Sequence, residues 1–191
     1  MVAQNFAMKT NCKVSWEHLC TENELWEWFE RKRLPRSLKG KFRRPAVYRF
    51  VLPNEDAGFS RRCYVGETEC LERRIGEHLT KQKINVQESD KKAIWPCYQK
   101  NKIYGALINL KNKPELMCEL SVEELIVGGG YLLGVPVNQH SLDSSFARKM
   151  FENIEILRAE HVDKFTLLNY EISVSAKIFH KMGSSAPVKL V

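Results

Sequence analysis

AVYRFVLPNEDAGFSRRCYVGETECLERRIGEHL, residues 46–79, holds two short apolar runs around a turn-rich segment, followed at once by a helical pattern. Val47 to Leu52 is rich in β-branched and aromatic residues, and Cys63-Tyr64-Val65-Gly66 is a shorter run of the same kind. With Pro53, Asn54, Asp56 and Gly58 between them, the runs read as two antiparallel strands joined as a hairpin. Thr68 is placed to N-cap the helix that follows. On that helix Leu71, Arg74, Ile75, His78 and Leu79 recur at three- and four-residue spacings and share one face. Arg73 and Glu77 point the other way and can pair in solvent. An arginine on a core-facing stripe needs a partner, because an unpaired buried guanidinium is costly. A phosphate or a buried carboxylate would serve. Taken singly, Tyr48 and Tyr64 read as core residues with hydroxyls at the edge, and Arg74 and His78 as flank residues. Their combination is what points to chemistry.

That combination resembles the core of the GIY-YIG endonucleases. Ala46-Val47-Tyr48 stands where the family has its first motif, with alanine for the first glycine, and Tyr64-Val65-Gly66 where it has its second. Leu71-x-x-Arg74-x-x-x-His78-Leu79 is similar to the family's helix with its catalytic arginine and histidine. The likeness covers about a third of the chain. It implies an α+β fold with a small central antiparallel sheet of about three strands, flanked by helices and extended at both ends.

The chain has 191 residues, a formal net charge of +7 and a hydrophobic content of 43%, ordinary for one globular domain with elaborations. The basic balance favours a polyanionic partner. Six cysteines form no C-x-x-C pair, which argues against a zinc ribbon, and they read as reduced thiols of a cytoplasmic protein. No secretory leader and no apolar run of membrane-spanning length is present; Leu125 to Val137 is too short and is broken by glycines and Pro136. The expected organisation is a helical arm and basic loop over 1–44, the nuclease-like core over 45–140, a C-terminal elaboration over 141–182 and a tail over 183–191.

Thr21-x-x-Glu24 reads as a capping box, and Leu25, Trp28 and Phe29 give an apolar stripe, so a helix is expected from Thr21 to about Arg33. From Arg31 to Arg49 the chain carries nine cations and no acid. The run is either solvated surface or a loop that follows a phosphate backbone, with Arg43, Arg44 and Arg49 as contacts. Lys81 and Lys83 join them from Thr80–Lys100, where basic residues alternate with Trp95 and Tyr98. Ile103 to Leu110 is expected as a third, central strand. A helix is expected to start at Pro114 or Ser121 and to run to Gly128-Gly129-Gly130. Ser144 to Arg158 has helical spacing of apolar residues; residues 170–178 fit a strand or a helix, with the strand preferred.

Phosphodiester hydrolysis needs an activated water, charge stabilisation on the phosphate and help for the leaving oxygen. The resemblance implies that Arg74 clamps the phosphate, that Tyr48 is general base or positions the water, and that Tyr64 orients both. It implies that His78 relays the proton, and that one Mg²⁺ or Mn²⁺ ion sits on a single carboxylate, Glu123, with Asn138 bracing the site. Ser121-x-x-Glu124 fits a capping box, which gives Glu124 a structural task; Glu124 still competes for the metal, and Glu119 more distantly. The implied activity is metal-dependent DNA endonuclease, with RNA as substrate left open. The alternative is a non-catalytic nucleic-acid-binding module on the same fold.

Overall fold

A computed structural model describes residues 11–53, 61–80 and 102–169. Its order is β1 (Lys13–His18), α1 (Glu22–Arg31), a short helix Arg36–Leu38, β2 (Ala46–Leu52), β3 (Arg62–Thr68), α2 (Leu71–Leu79) and α3 (Lys102–Leu110). A second short helix Pro114–Glu119 leads into β4 (Ser121–Leu132), β5 (Val135–Val137), a third short helix Gln139–Asp143, α4 (Ser145–His161) and β6 (Thr166–Leu167). The fold class is α+β. The mixed sheet runs β1-β4-β2-β3-β6, with β5 paired to β4, so it has six strands rather than about three. Only the β3–β6 pair is parallel.

The expected hairpin is present, with Ala46 opposite Thr68 and Leu52 opposite Arg62. β2 is hydrogen-bonded on both sides and covered on both faces, which is why its residues are apolar almost without interruption. Ala46, Tyr48, Phe50 and Leu52 face a core with α1, α2 and α3, while Val47 faces a second core beneath α4. α1 forms as expected, with the Thr21–Glu24 capping box closed in both directions. α4 also matches its expected span and is anchored by Arg148, whose Nε donates to Glu67 at 2.9 Å and whose Nη1 donates to the Leu142 and Asp143 carbonyls.

Two elements differ in type. Ile103 to Leu110 is a helix, not a strand: Ile103, Ala106, Leu107 and Leu110 are buried at three- and four-residue steps, while Gly105, Ile108 and Asn109 are exposed. An unbroken apolar run has no period of its own, and packing against α2 and α1 selected the helix. Ser121 to Leu132, expected as a helix to the glycine triplet, is strand β4 between β1 and β2. Val122, Leu125 and Val127 are fully buried there, and burial from both sides favours β-branched residues in a ladder. The glycines lie within this strand. Gly130 adopts a φ of +130°, and a Cβ on it would lie 2.3 Å from the Asn11 carbonyl oxygen. Lys81, Lys83, the strand expected over 170–178 and the tail fall outside the described residues. Among the described residues no helix is long and apolar enough to cross a membrane.

Candidate active site

Thr68 does not cap α2. Cys70 occupies the N-cap position, and the Thr68 hydroxyl accepts from the Cys70 N–H at 3.1 Å, turning the chain from β3 into the helix. The turn lays α2 across the hairpin with Leu71, Ile75, His78 and Leu79 buried beneath it, as the spacing anticipated. Arg73 and Glu77 pair on the outer side.

Cross-strand register puts Tyr48, Tyr64 and Gly66 on the face that α2 covers. The Tyr48 Oη lies 2.7 Å from His78 Nε2, and the rings of Tyr48 and Tyr64 lie 5.8 and 5.0 Å from the His78 ring. Gly66 makes room for this cluster, since a Cβ there would meet the Tyr48 hydroxyl at 2.6 Å. Arg74 completes it: its charge acts on both Tyr48 and His78, while its Nη1 donates to Glu77 at 2.9 Å. Its side chain is 36% exposed. Tyr64 is half-buried, whereas Tyr48 is fully buried.

Burial, aided by the Arg74 charge, lowers His78 to about 3, so the ring is neutral and its Nε2 shares a hydrogen bond with the Tyr48 hydroxyl. Burial also pushes the Tyr48 phenol well above its ordinary 10, with Tyr64 adding and Arg74 opposing. A sealed phenol that holds its proton this tightly is a poor general base at neutral pH. Of the two roles expected for Tyr48, general base or positioner of the attacking water, the raised phenol disfavours the first. Its hydroxyl fixes the His78 ring.

Glu123 and Asn138 do not join the cluster. Alternation along β4 turns Glu123 to the other face, opposite Arg49. There the Arg49 Nε donates to Glu123 Oε2 at 2.6 Å, the Ser121 hydroxyl donates to Oε1 at 2.8 Å, and the guanidinium lies over the Trp16 ring at 4.4 Å. Both oxygens of Glu123 are taken. Asn138 is exposed and N-caps the short helix Gln139–Asp143, accepting from the His140 N–H at 2.9 Å. Glu124, the competitor, lies opposite Tyr48 on the cluster face, but Arg44 holds both of its oxygens. The helical reading of β4 caused these misplacements, since a strand sends neighbouring glutamates to opposite faces. The contacts expected from Arg43, Arg44 and Arg49 are likewise engaged with Glu72, Glu124 and Glu123. Because the Arg49–Glu123 pair is mostly buried, Glu123→Ala leaves the guanidinium with Asp163 alone, at 3.9 Å, and is expected to cost about 3 kcal/mol, read as a lowered midpoint in urea at constant m value.

One acid near Arg74 escaped the sequence reading. Glu152 on α4 is half-buried, receives the Glu67 backbone N–H and lies within reach of the Arg74 charge. Burial first, then the Glu67 charge, raises its carboxyl to about 7. Among the described residues it makes no salt bridge, and no three metal-binding side chains converge. Glu152 lies within the apolar stripe of α4, whose spacing marks a core helix and gives no sign of the acid's surroundings. No protein-family model, curated protein or solved structure matches the chain.

Proposed function

We propose that the chain hydrolyses phosphodiester bonds in DNA, with Arg74 and Tyr64 meeting the scissile phosphate. The observation that carries this reading is the Tyr48–His78 hydrogen bond of 2.7 Å set beside Tyr64 and the half-exposed Arg74. A guanidinium fork matches two non-bridging phosphate oxygens and stabilises the charge that grows on them in the transition state. Tyr64, the more exposed phenol, orients the phosphate or the attacking water. Tyr48 holds His78 at Nε2, and the ring takes the proton of the attacking water on its other nitrogen, Nδ1, as the tautomer with Nε2–H donating to Tyr48 allows. A bound phosphate offsets the Arg74 charge that helps keep His78 unprotonated, and so makes the ring a better proton acceptor when substrate is present.

A resident Mg²⁺ or Mn²⁺ does not fit Glu123 or Glu124, whose oxygens are satisfied by Ser121, Arg49 and Arg44. Glu152 fits better, because a raised carboxyl with no salt bridge among the described residues gains from a cation, and a largely hydrated ion needs only one or two carboxylates. Such an ion supplies Lewis-acid charge to the phosphate and leaving oxygen. Glu152→Gln carries a two-sided expectation. A carboxyl raised to about 7 contributes stability below its ordinary 4.5 and loses it as pH rises through 7. In EDTA the variant therefore melts higher than the parent at pH 8, with the gap closing towards pH 4.5, while its cleavage activity in Mg²⁺ falls. A purely structural acid would leave cleavage untouched.

The alternative, a binding module without hydrolysis, is favoured by the sealing of Tyr48 and by the ion-paired state of both β4 glutamates. Incubation of supercoiled, branched and mismatched DNA with Mg²⁺ or Mn²⁺ decides between the two. Nicking supports the nuclease. Salt-sensitive binding with every substrate left intact in both ions rejects it.

A further inference from the structure

We propose that the cleft between the C-terminal end of α1 and the loop 33–37 is a second phosphate-binding site, which takes the sugar-phosphate backbone of a nucleic acid away from the point of cleavage. The choice of nucleic acid as occupant rests on the function proposed above; the cleft itself stands on its own geometry. The run from Arg31 to Arg49 carries nine cations, and the fold consumes most of them. Lys32 donates to the Leu79 carbonyl at 3.1 Å and lies 3.7 Å from the Phe29 ring centre. Arg43, Arg44 and Arg49 are paired with acids, and Arg49 is only 15% exposed. Lys39 and Lys41 are exposed and lie outside the cleft, whereas Arg33 and Arg36 line it. Both arginines are exposed, neither has a partner among the described residues, and they share the cleft, of about 480 Å³, with Arg31, Glu27 and Ser37.

The loop that presents them is fixed. Pro35 and Leu38 are buried, the Leu38 and Lys39 N–H groups donate to the Pro35 and Arg36 carbonyls, and the Ser37 hydroxyl donates to Glu24 at 2.6 Å. Arginines held near one another on such a loop repel, and an anion between them relieves the repulsion. Glu27, the one acid in the lining, is already held by Arg31 at 2.7 Å, so it does not neutralise the other two. Guanidinium forks suit phosphate oxygens better than lysine would. Lys32 ties the start of this loop to the Leu79 carbonyl at the end of the helix that carries Arg74 and His78.

Fluorescence anisotropy with a labelled DNA duplex in EDTA, titrated with salt, tests the site in the full chain. Arg33→Gln/Arg36→Gln is expected to bind roughly tenfold more weakly, with the slope of log affinity against log salt shallower by about two, one for each lost phosphate contact. Because both side chains are exposed and have no partner among the described residues, the melting temperature stays at the parent value. Equal affinity and equal slope for parent and variant overturn the cleft, as does a parent that binds no DNA. Failure of the nuclease reading looks different. The parent then cuts nothing in Mg²⁺ or Mn²⁺, yet the anisotropy difference persists.

Discussion

Arg74→Ala is expected to lower the rate of phosphodiester cleavage by about 10²–10³, the loss typical when one preorganised donor to a developing oxyanion is removed. The side chain is 36% exposed and its ion pair with Glu77 lies on the surface, but the guanidinium also bonds the buried Tyr48 hydroxyl, so folding stability is expected to fall by about 2 kcal/mol. Cleavage is lost from a protein that is still folded. Arg74→Lys does not restore it, because an ammonium cannot span two phosphate oxygens as the planar fork does. A second readout belongs to the cluster rather than to catalysis. His78 is held at about 3 first by burial and then by the Arg74 charge, so in Arg74→Ala its pKa rises part of the way towards 6.5. Histidine NMR signals followed with pH report that rise. The His78 linkage has a definite sign: a depressed folded pKa means that its contribution to stability is complete above about 6.5 and drains away as pH falls towards 3. The variant narrows that window. Cleavage at the parental rate by Arg74→Ala would remove the cluster from the chemistry.

The cluster was legible because it rests on local rules. Tyr48 and Tyr64 sit in short strands whose side chains alternate, Arg74 and His78 lie one helical turn apart, and the chain between them is too short to separate the pairs widely. The capping box of α1 and the stripe of α4 are equally local, and both elements match their expected spans. What was not legible depends on partners distant in sequence. Ile103–Leu110 and Ser121–Leu132 are both apolar, and only their placement, one across α2 and the other between β1 and β2, decides helix or strand. Ser121-x-x-Glu124 imitates a capping box, yet Ser121 donates to Glu123 within a strand. The faces of Glu123 and Glu124 follow from that single change of period. The sheet grew beyond the expected strands because β1 and β6 pair with segments far from them in sequence, and short strands leave weak patterns.

Gly66→Ala is expected to damage fold and cluster together, and Gly76→Ala in the same region to do neither. A Cβ on Gly66 would lie 2.6 Å from the Tyr48 Oη, 2.8 Å from its Cζ and 2.9 Å from the Tyr64 Cε1, closer than carbon atoms approach in folded proteins. Neither ring has an easy way out. Tyr48 is completely buried, with Phe50 and Tyr64 ring centres both 6.2 Å away and His78 on a third side. Its hydroxyl must move off His78 Nε2 or the strands must part, and overpacking of this kind costs about 1–3 kcal/mol. For a chain of this size each kcal/mol lowers the melting temperature by about 2–4 °C. Gly76, in the middle of α2, has the Trp28 Cζ2 as its nearest neighbour at an ordinary 3.7 Å. Alanine there gains about 0.5–1 kcal/mol from helix propensity, so Gly76→Ala melts at or above the parent temperature. The contrast separates loss of a backbone glycine as such from invasion of the space beneath Tyr48. Tyr48→Phe extends the test, since it removes the hydroxyl that the new methyl group strikes. Gly66→Ala combined with Tyr48→Phe should cost less than the two changes added together, a coupling that neighbours in contact display. Strict additivity, or an unchanged melting temperature in Gly66→Ala, would mean that Tyr48 does not lie over Gly66, and the hydrogen bond to His78 on which the proposed site depends would go with it.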